Sequence, residues 1–219
     1  MGLPELSEAL GLGPDPQLIL EPLQQLYSSL DRALATQAAG RELPCHEGCD
    51  ACCHEAVFLS APEVLLVMAH LLESRTLTEL TQLVAQMNRL AEHFADELEF
   101  LETMTPGAER DEVAARVAFR CPLLGTDGRC TVYSVRELNA RTFGQSWDPQ
   151  QDQAYGCGLT HQRLRVLPDQ GRTLYDAREA RRRLVAAVPG TERVHVYPWW
   201  FARYGALLLA AKSESSART

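Results

Sequence analysis

The sequence predicts a mainly helical α+β fold: a helical bundle with a small β-hairpin and a cysteine-rich chelating loop. Three observations predict it. Long segments of the first half repeat apolar residues every three to four positions, a cysteine-rich segment interrupts them, and an Asp-Gly turn between short apolar runs follows. The chain has 219 residues, 46% hydrophobic and 23% charged. That composition is globular, with enough chain to bury a core without disulfide staples. One domain is expected over residues 1–219, with a motif-bearing region at 45–144 and a helical C-terminal extension at 172–219.

The elements follow in order. A first helix is expected from about Gln17 to Ala39, with Ile19, Leu23, Leu26, Leu30 and Leu34 on one face. Pro22 places its regular part nearer Glu21, and Gly40 stops it. Ser60-Ala61-Pro62-Glu63 is a capping box that starts the second helix. Its buried stripe is Val64, Leu65, Met68, Leu71 and Leu72. Thr76-Leu77-Thr78-Glu79 is a second capping box. The apolar period after it runs from Leu80 to Leu101, predicting one long helix to about Met104. From Phe119 to Tyr133 a hairpin is expected around Thr126-Asp127-Gly128. Ser134 caps a short helix ending near Gly144, and residues 145–158 form a loop. A helix at 175–188, a strand at 193–197 and a terminal helix at 198–212 complete the chain.

Composition and termini narrow the function. Lys and Arg number 21 against 29 Asp and Glu, a net charge of −8. Nucleic acid demands a basic face, so it is not an expected partner. The first residues, Met1 to Leu6, lack the basic start and apolar core of a secretory signal. Leu6 stands where a myristoylation motif needs Ser or Thr. The longest apolar runs are too short to span a bilayer. A cytoplasmic chain with no membrane partner is the expectation. In that reducing compartment its seven cysteines point to metal or redox chemistry, not disulfides.

Four of these thiols fall within nine residues: Cys45, Cys49, Cys52 and Cys53. Gly48 allows the tight turn of a chelating loop, and neighbouring His46, Glu47 and Asp50 make the segment unlike an apolar core. A metal or cluster site is the reading. Adjacent Cys52 and Cys53 point in different directions and reach a polynuclear centre more easily than one tetrahedral ion. An iron–sulfur cluster or a two-metal site is therefore favoured over mononuclear zinc. Cys121 and Cys130 lie on the two arms of the hairpin, either as further ligands or as a redox dithiol. Arg120 and Arg129 precede them, either offsetting thiolate charge or forming a solvated strand face. Cys157, between Gly156 and Gly158, is a last ligand with His161 in reserve, or a lone loop thiol. Cys45, Cys49 and Cys52 have the radical S-adenosylmethionine spacing, but Ala51 lacks the expected aromatic and no βα barrel pattern surrounds them.

Together these residues resemble the CxxxCxxCC cysteine-cluster family of zinc- or iron-chelating domains, which includes YkgJ-type bacterial proteins and is related to flagellin lysine N-methylase. Cys45–Cys53 matches the signature. Arg120-Cys121-Pro122-Leu123-Leu124, then Gly128-Arg129-Cys130-Thr131-Val132-Tyr133, then Arg136 and Arg141 follow the family order RCPxL…GxCxxYxxRPxxCR. Two departures stand out: Glu137 replaces the family proline, and Ala140 replaces a family cysteine. The resemblance implies metal binding by Cys45, Cys49, Cys52, Cys53, Cys121, Cys130 and Cys157, as an iron–sulfur cluster or alternatively zinc. It suggests protein lysine modification or redox chemistry on a protein substrate or partner; the alternative is a zinc-binding structural or interaction module without catalysis. No acidic residue with a Gly-x-Gly-x-Gly stretch suggests a separate cofactor fold.

Among the remaining motifs, Tyr197-Pro198-Trp199-Trp200-Phe201 is expected in the core beneath the terminal helix. Arg181-Arg182-Arg183 is expected on a solvated face. Glu92, His93 and Glu97 flank the apolar stripe as exposed polar residues.

Overall fold

The computed structural model describes residues 2–40, 43, 45, 48–105, 108–150, 152–157, 160, 162 and 174–217. Its helices are α1 (Leu3–Ala9), α2 (Gln17–Ala38), α3 (Ala61–Ser74), α4 (Leu77–His93), α5 (Ala95–Thr103), α6 (Ala108–Arg116), α7 (Leu138–Thr142), α8 (Ala177–Ala187) and α9 (Tyr197–Ala217). Five short strands accompany them: β1 (Phe58–Ser60), β2 (Ser146–Asp148), β3 (Gln153–Tyr155), β4 (Tyr175–Asp176) and β5 (Val194–Val196). The mainly helical α+β class is thus observed. β1 and β5 pair antiparallel, with Leu59 opposite His195. The second sheet has the order β3-β2-β4, antiparallel then parallel. Among the described residues, no helix is long and apolar enough to cross a membrane.

Local chemistry accounts for the helix starts. At α3, Ser60 N and Oγ both donate to Glu63 Oε2 at 2.6 Å, the glutamate's half of a capping box. At α4, Glu79 N donates to Thr76 Oγ1 at 3.2 Å, and Thr76 N returns a bond to Glu79 at 2.8 Å. The stripe on α2, Ile19 through Leu34, is buried as the periodicity demands. α2 begins at Gln17, as expected, and carries Pro22 within it, so its regular part is not delayed to Glu21. One hydrophobic cluster joins α1, α2, α3, α4, α5 and α9. Trp199, Trp200 and Phe201 belong to it, as expected. Trp200 Nε1 donates to Leu59 O and His195 O, both at 3.1 Å, fastening α9 to the β1–β5 pair.

Several expectations are corrected. The long third helix breaks at Phe94, which leaves helical geometry (φ −108°, ψ 30°) while packing its ring 6.3 Å from Phe119. Apolar spacing continues across the break, so periodicity conceals it. The hairpin over 119–133 reduces to a single antiparallel bridge, Leu124 with Cys130. Its turn is real: Gly125 N donates to Arg129 O, and Gly128 takes a φ of +77°. The small hairpin lies instead at β2–β3, within the expected loop 145–158. Ser134 is not a helix cap; Tyr133–Val135 form a 3-10 turn and α7 starts at Leu138. α1 and α6 were not expected. Arg181 and Arg183 are drawn into structure, bonding Thr191 O and Ser29 Oγ, so only Arg182 fits the solvated face. Glu92 and His93 are exposed, as expected.

Candidate metal centre

A short 3-10 turn, Ala51–His54, carries Cys52 and Cys53 out of the loop. Gly48 precedes it with φ +91°, a left-handed conformation that glycine adopts without strain. The two halves of the cysteine set are then stitched together through the backbone: Cys121 N donates to Cys53 O at 2.7 Å. The result is a cavity of about 70 Å³ lined by Cys45, Cys49, Cys52, Cys53, Cys121 and Cys130. Each of these thiols is partly buried.

The sulfurs sense one another. Burial, then the Cys49 and Cys52 sulfurs, push the Cys45 thiol up to about 11. The Cys52 thiol is raised well above its usual range, first by its hydrogen bond with Cys53 and then by burial. Burial takes Cys121 to about 12 and raises Cys130 as well. The N–H groups of Leu123 and Val132 act against this on Cys121 and Cys130, each donating to the sulfur two residues before it. Such bonds favour thiolate and are a standard means of tuning metal-bound sulfur. A set of buried thiols that oppose each other's ionisation becomes a set of thiolates only when a cation joins it. The donor chemistry therefore fits a metal. Among the described residues, no three His, Cys, Asp or Glu side chains already converge as an ion's ligands.

Cys157 does not line this cavity. Its sulfur lies 3.8 Å from Thr160 Oγ1, and Thr160 and Cys45 both crowd Gly144. A Cβ on Gly144 would stand 2.6 Å from Cys45 Cβ and 3.4 Å from Thr160 Oγ1. Cys157 thus neighbours Thr160 outside the cavity wall. Its reserve, His161, lies outside the described residues, as do His46 and Glu47.

Other residues join the thiols in the cavity wall; the sequence motif points to Arg136 and Glu137, but not to Tyr197 or Gln145. Glu137, Tyr197, Gln145 and Arg136 line the cavity. Gln145 hydrogen-bonds the Cys45 sulfur. Arg136 favours the Cys45 and Cys130 thiolates, the part expected of Arg120 and Arg129. Arg120 instead spans the turn, bonding Leu124 O and Gly125 O. Glu137 is 2% exposed and accepts from Tyr197 Oη at 2.6 Å. Burial raises its carboxyl, against the Tyr197 bond. Only the exact spacing of Tyr197 in space, 60 residues away in sequence, reveals this pair.

The cavity is held by a buried polar frame. Glu63 accepts from Tyr27 Oη at 2.5 Å and from Leu138 N at 2.7 Å, besides its bonds to Ser60. Arg141 is 1% exposed. It binds Arg136 O, Ser134 O and Asp31, and lies 4.2 Å over the Tyr27 ring. These contacts fix α7, whose Ala140 forms part of the cavity wall. Behind Ala140 a second cavity of about 120 Å³ shares Cys52 and reaches Phe58, Asn139 and Tyr155. Those three also line a groove of about 870 Å³ that opens beyond it.

The family model CxxCxxCC, described as "Putative zinc- or iron-chelating domain", matches residues 44–158, just over half of the chain. The chain belongs to this family. The match spans both halves of the cysteine set and α7, so the zinc- or iron-chelating domain and the cavity coincide. In this member of the family, three residues separate Cys45 from Cys49, where the family's name has two between its first cysteines. Comparison with curated proteins and with solved structures gave no match.

Proposed function

We propose that the cavity holds an iron–sulfur cluster, drawing its ligands from Cys45, Cys49, Cys52, Cys53, Cys121 and Cys130. The observation that carries this reading is the number of thiols around one cavity, six. A single tetrahedral zinc uses four ligands, whereas a polynuclear centre makes use of more sulfurs and of neighbours such as Cys52 and Cys53. Cys157 stands in reserve. When bound, such a cluster supplies one-electron chemistry. The chain's own part is to hold the sulfurs, shield them by burial and donate N–H bonds to Cys121 and Cys130. The second cavity and the groove beyond Ala140 support a reactive centre that meets a partner or substrate, over a purely structural staple.

Anaerobic purification of the full chain tests this. A brown protein with sulfur-to-iron charge-transfer absorbance and stoichiometric acid-labile sulfide is expected. A colourless protein carrying stoichiometric zinc overturns the cluster and leaves the zinc module as the function.

A further inference from the structure

One buried side chain in the cysteine cavity has a role that the cysteine set leaves unexplained. Glu137 is a carboxylate at 2% exposure, in the wall of the cysteine cavity. Among the described residues, no Lys, Arg or His forms an ion pair with it. The adjacent Arg136 places its guanidinium 3.7 Å over the Tyr133 ring and bonds Tyr133 O. A buried carboxylate without an ion-pair partner is costly, and proteins bury one where it is paired or binds a metal. Arg136 favours its carboxylate through space and Glu63 opposes it, and Glu137 in turn acts on Cys52, Cys121 and Cys130 alike. On the same short stretch, position 140 offers the cavity only a methyl group.

We propose that Glu137 donates a carboxylate oxygen to the metal centre, making it a mixed sulfur–oxygen site, with Tyr197 positioning that carboxylate. This rests on the reading of the cavity as a metal centre. Thiolate and carboxylate together are an established donor set for zinc and iron. The Tyr197 bond to one carboxylate oxygen is the outer-shell support that fixes a ligating carboxylate.

Cobalt(II) is the probe, loaded into the metal-stripped, reduced full chain. Its near-ultraviolet charge-transfer intensity follows the number of thiolates, and its d–d bands follow the whole donor set. In Glu137→Gln the amide can still accept from Tyr197, so the melting temperature of the stripped protein should hold. Cobalt affinity should fall roughly tenfold or more, the d–d bands should move, and the charge-transfer intensity should stay. Tyr197→Phe should shift the same bands less. Unchanged affinity and bands in Glu137→Gln overturn the proposal. Should that variant fail to fold, Glu137→Asp retracts the carboxylate by one methylene, and unchanged cobalt binding there overturns it equally. A wild-type chain that takes up no metal at all overturns the metal centre itself, an outcome distinct from the loss of Glu137 alone.

Discussion

Replacing Glu63 with alanine removes the acceptor for four donors at once. Tyr27 Oη, Ser60 N, Ser60 Oγ and Leu138 N lie 2.5, 2.6, 2.6 and 2.7 Å from its carboxylate oxygens. The site is 2% exposed, so the orphaned groups find little water. Each unsatisfied buried donor costs about 1–3 kcal/mol. Water entering the vacated volume recovers part of this, so a loss of about 4–6 kcal/mol is expected for Glu63→Ala. Glu63→Gln keeps one acceptor oxygen but turns its NH2 toward donors, for about 2–4 kcal/mol. Tyr27→Phe deletes one donor and leaves three bonds in place, for about 1–2 kcal/mol. Urea unfolding followed by circular dichroism, with unchanged m-values, measures the series. Because Leu138 opens α7 and Ala140 on that helix walls the cavity, Glu63→Ala should also weaken metal binding from outside the ligand set. A Glu63→Ala protein within about 1 kcal/mol of wild type, or the reverse order among the three, refutes the frame.

Four further outcomes are expected. Gly144→Ala puts a side chain at φ +77° and a Cβ 2.6 Å from Cys45 Cβ; it should cost about 1–3 kcal/mol and weaken metal retention, both read in one thermal and metal-content assay. Cys52→Ser should abolish metal binding, since Cys52 acts on Cys45, Cys121 and Cys130, whereas Cys157→Ser should keep it; equal metal content in the two variants contradicts the cavity assignment. Ala140→Cys should add a sulfur to the cavity wall and resist maleimide labelling in the metal-loaded protein; ready labelling shows that position 140 faces elsewhere. His195 titrates near 4, lowered from 6.5 mainly by burial. The unfolded chain therefore takes up this proton first, so stability is full above about pH 6.5 and falls with pH toward 4. Wild type should lose about 2–3 kcal/mol more than His195→Asn between pH 7 and 4.5, and parallel pH profiles would show that His195 does not contribute.

What the sequence discloses is what local chemistry determines. Ser60 with Glu63 and Thr76 with Glu79 bond within one turn, so their capping boxes can be read directly, and the α2 stripe follows from period alone. Phe94 escapes because Leu98 and Leu101 keep the spacing on the far side of the break. The hairpin over 119–133 forms only one bridge because Asp-Gly specifies a turn but not the pairing of its arms, and the second arm runs into a 3-10 turn. In the site, the six cavity thiols are recognisable from spacing and family resemblance. Two of their partners are not, because Tyr197 and Gln145 meet the cysteines through tertiary packing with no local signature.

The two departures from the family order, Glu137 and Ala140, fall on one side of one cavity. As isolated substitutions they are a lost proline and a lost thiol. In the fold they are a buried carboxylate with no ion-pair partner among the described residues and a small wall residue, three positions apart on the same short helix and its cap. Ala140 also lines the second cavity beside Cys52, the one that leads toward the groove, where a cysteine side chain would be larger. On the proposal above, position 137 offers an oxygen donor where position 140 offers none, which changes the hardness of the groups around the metal. The centre of this chain should therefore differ from an all-sulfur site in the metal it prefers, toward ions that accept oxygen. The cobalt d–d bands of wild type and Glu137→Gln decide that, since an all-thiolate centre would give the same spectrum in both.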